Sequence, residues 1–269
     1  MRELSIKEIQ QKQLELMRKV HKVCVEHGIT YYLISGSCLG AVRHGGFIPW
    51  DDDIDIAMMR PDYERFVKGF NEWFDTQKYF LQTEWTDRDF AVPLARICIR
   101  GTWLDEPWAE HLRCDKSMFM DIFPLDNVPD DEKERARHAR KVNFYKSLLA
   151  RKVYSRSESR AANMVKGLIS GLLKVIPLRS LLNRRRRLHM AYDDRHTACV
   201  SSLASKYGYR KHVMNREIYG TPVLMKFENE EFYMPEKYEE HLTRLFGPRY
   251  MEIPPVEKRQ KPTPAYIKD

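Results

Sequence analysis

Apolar residues recur at helical spacing through the first part of the chain, which predicts a long amphipathic helix. Ser5 and Glu8 have the spacing of a capping box at the start of this helix, and Leu4 with Ile9 fits a hydrophobic staple. Gly28 is a suitable residue to follow its last turn. We therefore expect the chain to open with a helix that ends at about Gly28.

The pattern after this helix changes to short extended runs with one clear helix among them. The β-rich run at 29–35 predicts a strand, which Gly36 and Ser37 are expected to break before a short helix, CLGAVR. Pro61 stands at the favoured first position of a helix over 61–74. Further strands are expected in DDIDIAMM, YFLQTEW, VPLARICI and MFMDIF.

The second half of the chain predicts mainly helix, followed by a hairpin. Residues 130–207 have largely helical character that is broken at Pro177, and the chain closes with the hairpin VLMKFENEEFYMP, the helix KYEEHLTRLFG and a proline-rich tail. We expect an α+β fold, with a mixed sheet flanked by helices and a mainly helical middle segment. The predicted division is a core over 1–130, a basic helical insertion over 131–210, and a hairpin and helix over 211–269 that pack back on the core.

Composition is that of a folded intracellular protein. A chain of 269 residues with 43% hydrophobic content can bury one substantial core. The 5 cysteines are scattered without a CxxC pair, so neither a zinc site nor a disulfide framework is indicated. The N-terminus is charged from its second residue and lacks the apolar segment of a secretory signal. We therefore expect a cytoplasmic protein.

The formal net charge of +8 is unevenly distributed. Residues 1–130 carry 16 Lys and Arg against 22 Asp and Glu, residues 131–210 carry 20 against 6, and residues 211–269 carry 10 against 10. The acidic first part is suited to binding cations, whereas the basic middle is suited to an anionic surface or substrate.

Alternating acids and isoleucines mark the candidate chemistry. In a strand, Asp53 and Asp55 project to one side while Ile54 and Ile56 project to the other. Carboxylates this close repel each other unless a cation or proton lies between them, and Mg²⁺ prefers oxygen ligands of this kind. Asp51 shares their phase and is expected beside the site. Asp52 is out of phase and is expected to be solvated or to cap a turn.

A glycine and a serine precede these acids at the end of a predicted strand. Gly36 would let the backbone approach a phosphate closely, and Ser37 offers a hydroxyl and an amide to bind it. Taken singly, a Gly-Ser pair is usually a turn and a run of acids is usually a solvated loop. Their ordered combination favours a site for a metal and a phosphate.

The segment GSCLGAVRHGGFIPWDDDIDIAMMRPDYERF resembles the signature of the LicD family, which fukutin-type proteins share. The resemblance is dense over residues 33–66, looser through DIFPLDNV, and recognisable again in LFGPRYMEIPPVEKR. It implies a nucleotidyltransferase-type catalytic core, in which Gly36 and Ser37 line the phosphate pocket and Asp53 and Asp55 bind the metal. Many relatives are expected to have a histidine after the PP and its basic stretch, but here this stretch has none, which puts a catalytic role of the tail in doubt.

Such folds usually need a third carboxylate from a later strand, and Asp121 in MFMDIF is the first candidate. The alternative is that Asp121 ends its strand and caps a turn, in which case Asp126 takes its place. The resemblance also marks Arg43 and His44, which could hold the transferred phosphoryl oxygens or the leaving diphosphate. His44 could equally serve only to bind its own loop.

Other candidate ligand contacts rest on weaker patterns. Arg96 and Arg100 share one face of the predicted strand LARICIR, either lining the same cleft or forming a charged strand face. Trp103 and Trp108 flank acidic residues in a predicted loop and could contact a quaternary ammonium group, although tryptophans more often belong to the core.

Members of the family transfer a substituted phosphate from a cytidine diphosphate (CDP) donor to a sugar hydroxyl of a cell-surface glycan. The resemblance therefore implies a phosphotransferase that uses Mg²⁺ or Mn²⁺ and a CDP-linked donor, CDP-choline before others. Its acceptor would be a glycan of the teichoic acid, capsule or lipopolysaccharide type, in some cases lipid-linked. One carboxylate, Asp121 by preference, would accept the acceptor's proton.

Two other functions fit the same pattern. A true nucleotidyltransferase would modify a small molecule or RNA, but the aromatic residues of the middle segment are not interleaved with its arginines, so no nucleic-acid partner is expected. A non-catalytic nucleotide- or glycan-binding relative would not need to keep Asp53, Asp55 and the Gly-Ser pair.

The basic segment 163–190 places leucines and isoleucines beside Lys166, Lys174, Arg179 and the arginine run 184–187. Its apolar stretch is too short to span a bilayer. One interpretation is peripheral contact with the anionic inner face of the membrane. The other is a helical subdomain that packs its leucines on the core and leaves its arginines in solvent.

Overall fold

The computed structural model describes residues 1–106, 109–154, 175–205 and 208–268. Within these ranges the protein has the expected α+β fold. Its helices are α1 (Ile6–Glu26), α2 (Ser35–His44), α3 (Arg60–Trp73), α4 (Glu132–Leu149), α5 (Leu178–His189), α6 (Tyr209–His212) and α7 (Tyr238–Phe246). Its strands are β1 (Arg2–Glu3), β2 (Tyr32–Leu33), β3 (Asp55–Met59), β4 (Tyr79–Gln82), β5 (Ala95–Ile99), β6 (Thr102–Leu104), β7 (Phe119–Val128), β8 (Cys199–Ser201), β9 (Val213–Asn215), β10 (Val223–Phe227), β11 (Glu230–Met234) and β12 (Ala265–Ile267).

A mixed sheet organises the described chain, with its strands in the order β2-β3-β7-β5-β4. Strands β3 and β7 are parallel, and the other neighbours are antiparallel. The ten-residue β7 extends past β5 and pairs through its second half with β8, which in turn pairs with β9. Strands β10 and β11 form the expected hairpin, and β1, β12 and β6 form a separate small sheet.

The core lies where α1 and α3 cover the sheet. Helix α1 has the expected capping box between Ser5 and Glu8 and ends at Glu26, close to the predicted position. Ile54 and Ile56 are fully buried in this core, whereas Asp53 and Asp55 are half-buried, so the expected alternation of acids and isoleucines is confirmed. The hairpin and α7 contribute to the same hydrophobic cluster, through Phe227, Phe232, Met234 and Leu242.

The segment around Gly36 differs from the prediction of a broken strand followed by a helix. Strand β2 covers only Tyr32 and Leu33, and α2 already begins at Ser35, so that Gly36 and Ser37 form its first turn. The turn is sharp because Ser35 has a φ of 52°, in the left-handed region, and the Cys38 amide bonds the Ile34 carbonyl. A local change of backbone direction of this kind leaves no clear trace in the hydrophobic pattern.

Two features of the later chain also differ from expectation. Strand β7 runs past the expected segment MFMDIF through Pro124 to Val128, which excludes the alternative that Asp121 ends its strand and caps a turn. Residues 199–201, which were expected to be helical, form β8, because hydrogen bonds to β7 and β9 override the helical character of their surroundings. The three-part division at residues 130 and 210 stays a prediction.

The basic segment directs part of its arginine run inward. Residues 155–174, with Lys166 and Lys174, lie outside the described residues, but α5 packs Leu181 and Leu182 with Ala91 and Leu149 in a small hydrophobic cluster that is separate from the core under α1 and α3. Arg185 is only 3% exposed and binds Glu84, while Arg186 pairs with the Glu64 carboxylate at 2.7 Å. Neither interpretation of the sequence anticipated these internal ion pairs. Across the described ranges, no helix combines the length and apolar character needed to cross a bilayer.

Candidate active site

Three charged residues form a row across adjacent strands. In the sheet register Asp55 of β3 lies beside Asp121 of β7, and Asp121 lies beside Arg96 of β5. Residues that are opposite each other in neighbouring strands project from the same face, so the three side chains are neighbours. Arg96 Nε donates to Asp121 Oδ1 at 2.9 Å. The row brings together three of the residues that the sequence proposed from separate segments.

Aromatic rings and a second carboxylate fix Arg96. Its guanidinium lies over the Phe119 ring at 3.5 Å and 5.3 Å from the Phe90 centroid, and its Nη1 is 3.9 Å from Glu106 Oε2. Burial disfavours the charged guanidinium, but the carboxylates of Asp121 and Glu106 outweigh this cost and raise the pKa of Arg96 above its ordinary value. Arg96 therefore stays cationic and holds Asp121 in place.

The acidic loop that precedes β3 is anchored by two glutamines of α1. Gln10 Nε2 donates to the Asp51 carbonyl at 2.9 Å, and Gln13 Nε2 donates to the Phe119 carbonyl at 2.8 Å. Gln13 is 2% exposed and therefore connects α1 to the start of β7 inside the core. The first contact joins the acidic loop to α1, and the second joins α1 to β7. They join residues about forty and a hundred positions apart, and the sequence alone did not indicate them.

Helix α2 presents its N-terminus to the acids. Ser35 and Gly36 line the same cavity as Asp53, Asp55 and Asp121. First-turn amides of a helix have no carbonyl partner within the helix and form a natural anion site. A Cβ on Gly36 would lie 2.7 Å from Asp51 Oδ2, so glycine is what allows this carboxylate to approach the helix.

Ser37 makes a contact that the sequence did not predict. Its side chain is buried, and its Oγ accepts a hydrogen bond from the Asp55 amide at 2.8 Å. The hydroxyl therefore fixes the first residue of β3 and with it the Asp55 carboxylate. Phosphate binding by Ser37 stays a prediction, and its amide belongs to the same first turn as that of Gly36.

The cavity above the charged row has a volume of about 340 Å³. Its floor and one wall are formed by residues of the first half, with the Trp50 ring at the rim under the Arg259 guanidinium, 4.2 Å away. Its opposite wall comes from much later in the chain, from Ser202, Ala204, Ser205, His212, Phe246 and Gln260. Sequence reasoning missed this wall, because no local pattern connects residues 202–212 with residues 35–55.

Arg43 and His44 point to the C-terminal segment and do not line the described cavity. Arg43 Nη1 donates to the carbonyls of Tyr250 at 2.9 Å and Glu252 at 3.1 Å, and its Nε donates to His44 Nε2 at 3.0 Å. Burial and the neighbouring Arg43 lower the pKa of His44, which agrees with a neutral imidazole that accepts this bond. Contact of either side chain with phosphate stays a prediction.

The remaining candidates lie elsewhere. Trp103 is 40% exposed on β6, where Lys116 Nζ lies 5.4 Å from its ring, and Trp108 lies outside the described residues. Arg100 is exposed and bonds the Thr76 carbonyl at 3.0 Å. Asp126, the fallback for the third carboxylate, is fully buried and bound to Arg60 at 2.7 Å. Its position is that of a structural ion pair.

The donor set of the cavity suits a hard divalent cation. Asp55 and Asp121 are adjacent in register, Asp53 lies two residues before Asp55, and all three line one cavity. Asp51, Asp52 and Asp53 can also bring one oxygen each within 4.8 Å of one another. Asp52 Oδ2 already accepts a hydrogen bond from the Thr263 amide at 2.6 Å, a contact with the C-terminal segment that neither a solvated nor a turn-capping Asp52 predicted. A larger groove of about 1030 Å³ between α4, α6 and α7 contains none of these aspartates.

Residues 28–151, which include the charged row, match the family described as LicD/FKTN/FKRP, nucleotidyltransferase domain. The chain is 30% identical over 271 residues to the lipopolysaccharide cholinephosphotransferase LicD of Haemophilus influenzae, with 97% of each protein covered. The chain therefore belongs to the LicD family, as its signature segment predicted. It is also 46% identical over 48 residues, 18% of this chain, to the human ribitol 5-phosphate transferase FKRP, of which those residues are 10%. These relatives confirm the expectation of a phosphotransferase.

Proposed function

We propose that this protein transfers phosphocholine from CDP-choline to a sugar hydroxyl of a cell-surface glycan, in a reaction that depends on Mg²⁺ or Mn²⁺. The observation that carries the proposal is the row of Asp55, Asp121 and Arg96 below the N-terminus of α2. The names of two relatives support the type of group moved, since one is a cholinephosphotransferase and the other a ribitol 5-phosphate transferase.

Asp53, Asp55 and Asp121 would hold the cation, because Asp55 and Asp121 are adjacent in the sheet register and Asp53, two residues before β3, lines the same cavity. A divalent cation held by these residues would supply charge neutralisation for a diphosphate and for the transferred phosphoryl group. The first-turn amides of α2 supply hydrogen-bond donors for phosphate oxygens. Arg96 keeps the Asp121 carboxylate oriented through the bond at 2.9 Å.

In the proposed reaction the acceptor hydroxyl oxygen forms a bond to the phosphorus of phosphocholine. The bond between that phosphorus and the oxygen of cytidine monophosphate (CMP) breaks, and CMP leaves. The hydroxyl proton passes to a carboxylate of the floor, Asp121 by preference. Binding of donor and acceptor in one cavity supplies the alignment on which phosphoryl transfer mainly depends.

The test is calorimetric titration of CDP-choline into the purified protein, with Mg²⁺ and then with a chelator. Binding is expected only with the metal, and it should be lost in the double variant Asp53→Asn/Asp55→Asn. Asp75→Asn is the matched control, because Asp75 is an exposed aspartate outside the cavity. If another nucleotide diphosphate bound with the same dependence on the metal and on Asp53 and Asp55, the cation site would stand and the assignment of choline as the transferred group would fall. Metal-independent binding would refute the cation site.

Turnover separates the proposal from the two alternatives. A phosphocholine transferase releases CMP, whereas a nucleotidyltransferase incorporates the nucleotide into its product, and a binding protein does neither. Peripheral contact with an anionic membrane is a further part of the proposal, supported by the exposed arginines 184 and 187 of α5. Co-sedimentation with vesicles that contain anionic lipid tests it, and recovery in the supernatant at low salt would refute it.

A further inference from the structure

The two walls of the 340 Å³ cavity differ in charge. Every charged side chain that lines it in the described chain lies between residues 51 and 121. The wall from residues 202–260 offers hydroxyl, imidazole, amide and phenyl groups. Burial, reinforced by Lys211 and Lys146, lowers the pKa of His212 to about 4, so this imidazole is neutral at physiological pH. Among the residues that the structure describes, the second wall is therefore uncharged.

Ser202 provides an observation that itself points to a ligand. Its side chain is 3% exposed and lines the cavity, yet its Oγ has no hydrogen-bond partner among the described residues. A buried hydroxyl without a partner is costly, and native proteins rarely keep one. A ligand hydroxyl in the cavity would satisfy it.

The neighbouring polar groups are held in fixed positions. Ser205 Oγ and His212 Nε2 are 2.7 Å apart, and Lys146 Nζ donates to the Ser205 carbonyl at 2.7 Å. Phe246 ends α7 at the same wall, with its side chain 42% exposed. Fixed neutral hydrogen-bonding groups beside an apolar ring suit a polyhydroxylated ligand with an apolar face, which is the chemistry of a sugar ring.

We propose that Ser202, Ser205, His212 and Phe246 form the acceptor subsite, where they bind the hydroxyl groups and the apolar face of a sugar residue. This inference rests on the proposed function, which leaves the position of the acceptor open. The acidic floor is suited to the diphosphate of the donor together with a divalent cation, and the neutral wall is suited to the acceptor. A site that hydrogen-bonds a hydroxyl rejects analogues that lack it, so this wall determines which acceptor is used.

The experiment measures sugar binding directly, by saturation-transfer NMR with methyl β-galactoside and methyl β-glucoside, with and without CDP-choline and Mg²⁺. At least one glycoside is expected to bind the wild-type protein. Ser202→Ala and Phe246→Ala should each weaken that binding by about 3- to 10-fold. Donor affinity, measured by calorimetry, should be unchanged in both variants.

Ser201→Ala is a closely matched control. Ser201 is also a fully buried serine whose Oγ has no partner in the described chain, but it does not line the cavity. Its substitution should leave sugar binding unchanged. Ser202→Ala should also unfold at a temperature no lower than wild type, because it removes an unsatisfied hydroxyl. A merely structural role for Ser202 would lower that temperature.

The outcomes separate the subsite from the proposed function. Sugar binding that Ser202→Ala weakens supports the subsite, even in a protein that binds no CDP-choline, and in that case only the donor assignment fails. Metal-dependent binding of CDP-choline with no sugar binding under either condition would overturn the subsite and leave the donor assignment intact. Equal sugar binding by wild type and Ser202→Ala would overturn it as well.

Discussion

Replacing Arg96 with methionine tests whether the floor of the cavity is held together by charge. Methionine keeps much of the side-chain volume over the Phe119 ring but removes the cation that binds Asp121 at 2.9 Å. Asp121 would then lie beside Asp55 with no positive side chain in the row. We expect Arg96→Met to lower the stability of the protein.

The magnitude follows from the burial of the pair. The side chains of Arg96 and Asp121 are 12% and 15% exposed. Removing one partner of a buried pair costs about 3 to 5 kcal/mol, and the residual exposure places this pair near the lower limit, at about 3 kcal/mol. For a chain of this size, that loss lowers the thermal midpoint by about 6 to 12 °C.

Thermal unfolding at neutral pH measures the effect, with Arg100→Met as the matched control. Arg100 also lies over an aromatic ring, that of Phe80 at 5.2 Å, but it is exposed and pairs with no carboxylate of the row. Its substitution should cost less than about 1 kcal/mol. Millimolar Mg²⁺ should restore part of the loss in Arg96→Met. Equal midpoints for the two variants would refute the ion-pair reasoning, and absence of rescue would contradict a cation site among these aspartates.

Three further predictions concern stability. Gly40→Ala should lower the free energy of unfolding by about 1 to 3 kcal/mol, because the new Cβ would lie 2.4 Å from the Gly46 carbonyl oxygen. A thermal midpoint equal to that of wild type would show that the loop at Gly46 can move away without cost. Arg185→Met should lower the free energy of unfolding by about 3 to 5 kcal/mol, because it leaves the buried Glu84 carboxylate unpaired. Arg184→Met, on the exposed side of the helix, should cost almost nothing, and equal effects of the two substitutions would contradict the buried position of Arg185. Burial lowers the pKa of His241 to about 3, so unfolding takes up a proton below pH 6.5, and the stability present above that pH is progressively lost toward pH 3. At pH 5 the contribution of His241 to this loss is about 2 kcal/mol, and His241→Leu should remove that contribution from the difference between urea unfolding at pH 7 and at pH 5. An acid sensitivity that does not change in His241→Leu would show that it originates in other groups.

The sequence predicted the parts of the molecule that depend on local periodicity. The capping box of α1, the acids alternating with isoleucines before β3, and the hairpin at 223–234 follow from patterns that a few consecutive residues carry. The sequence favoured a ligand role for Asp121 over a turn-capping role only because the neighbours of Asp121 are apolar. The register beside Asp55 agrees with that choice.

Features that depend on distant pairing were not predictable in the same way. Strand β8 exists because β7 and β9 bond it, and the task of Ser37 depends on the Asp55 amide eighteen residues later. The sequence could not decide whether Arg96 or Arg100 lines the cleft, since the partner of Arg96 lies on another strand. The neutral wall at 202–212 meets the acids at 51–55 only through the tertiary fold, since the two segments are far apart in the chain.

Strand β7 has a consequence for how this enzyme can change its acceptor over evolution. The strand carries Asp121 near its start, and its residues Asp126 to Val128 pair with β8. Ser202 directly follows β8 in the chain. At about 3.3 Å per residue, the strand separates Asp121 from Asp126 by roughly 17 Å. Substitutions in the chain that follows β8 can therefore alter the choice of acceptor without changing the distance between the acidic floor and the neutral wall. One residue inserted into β7 would instead change both this distance and the pairing with β8.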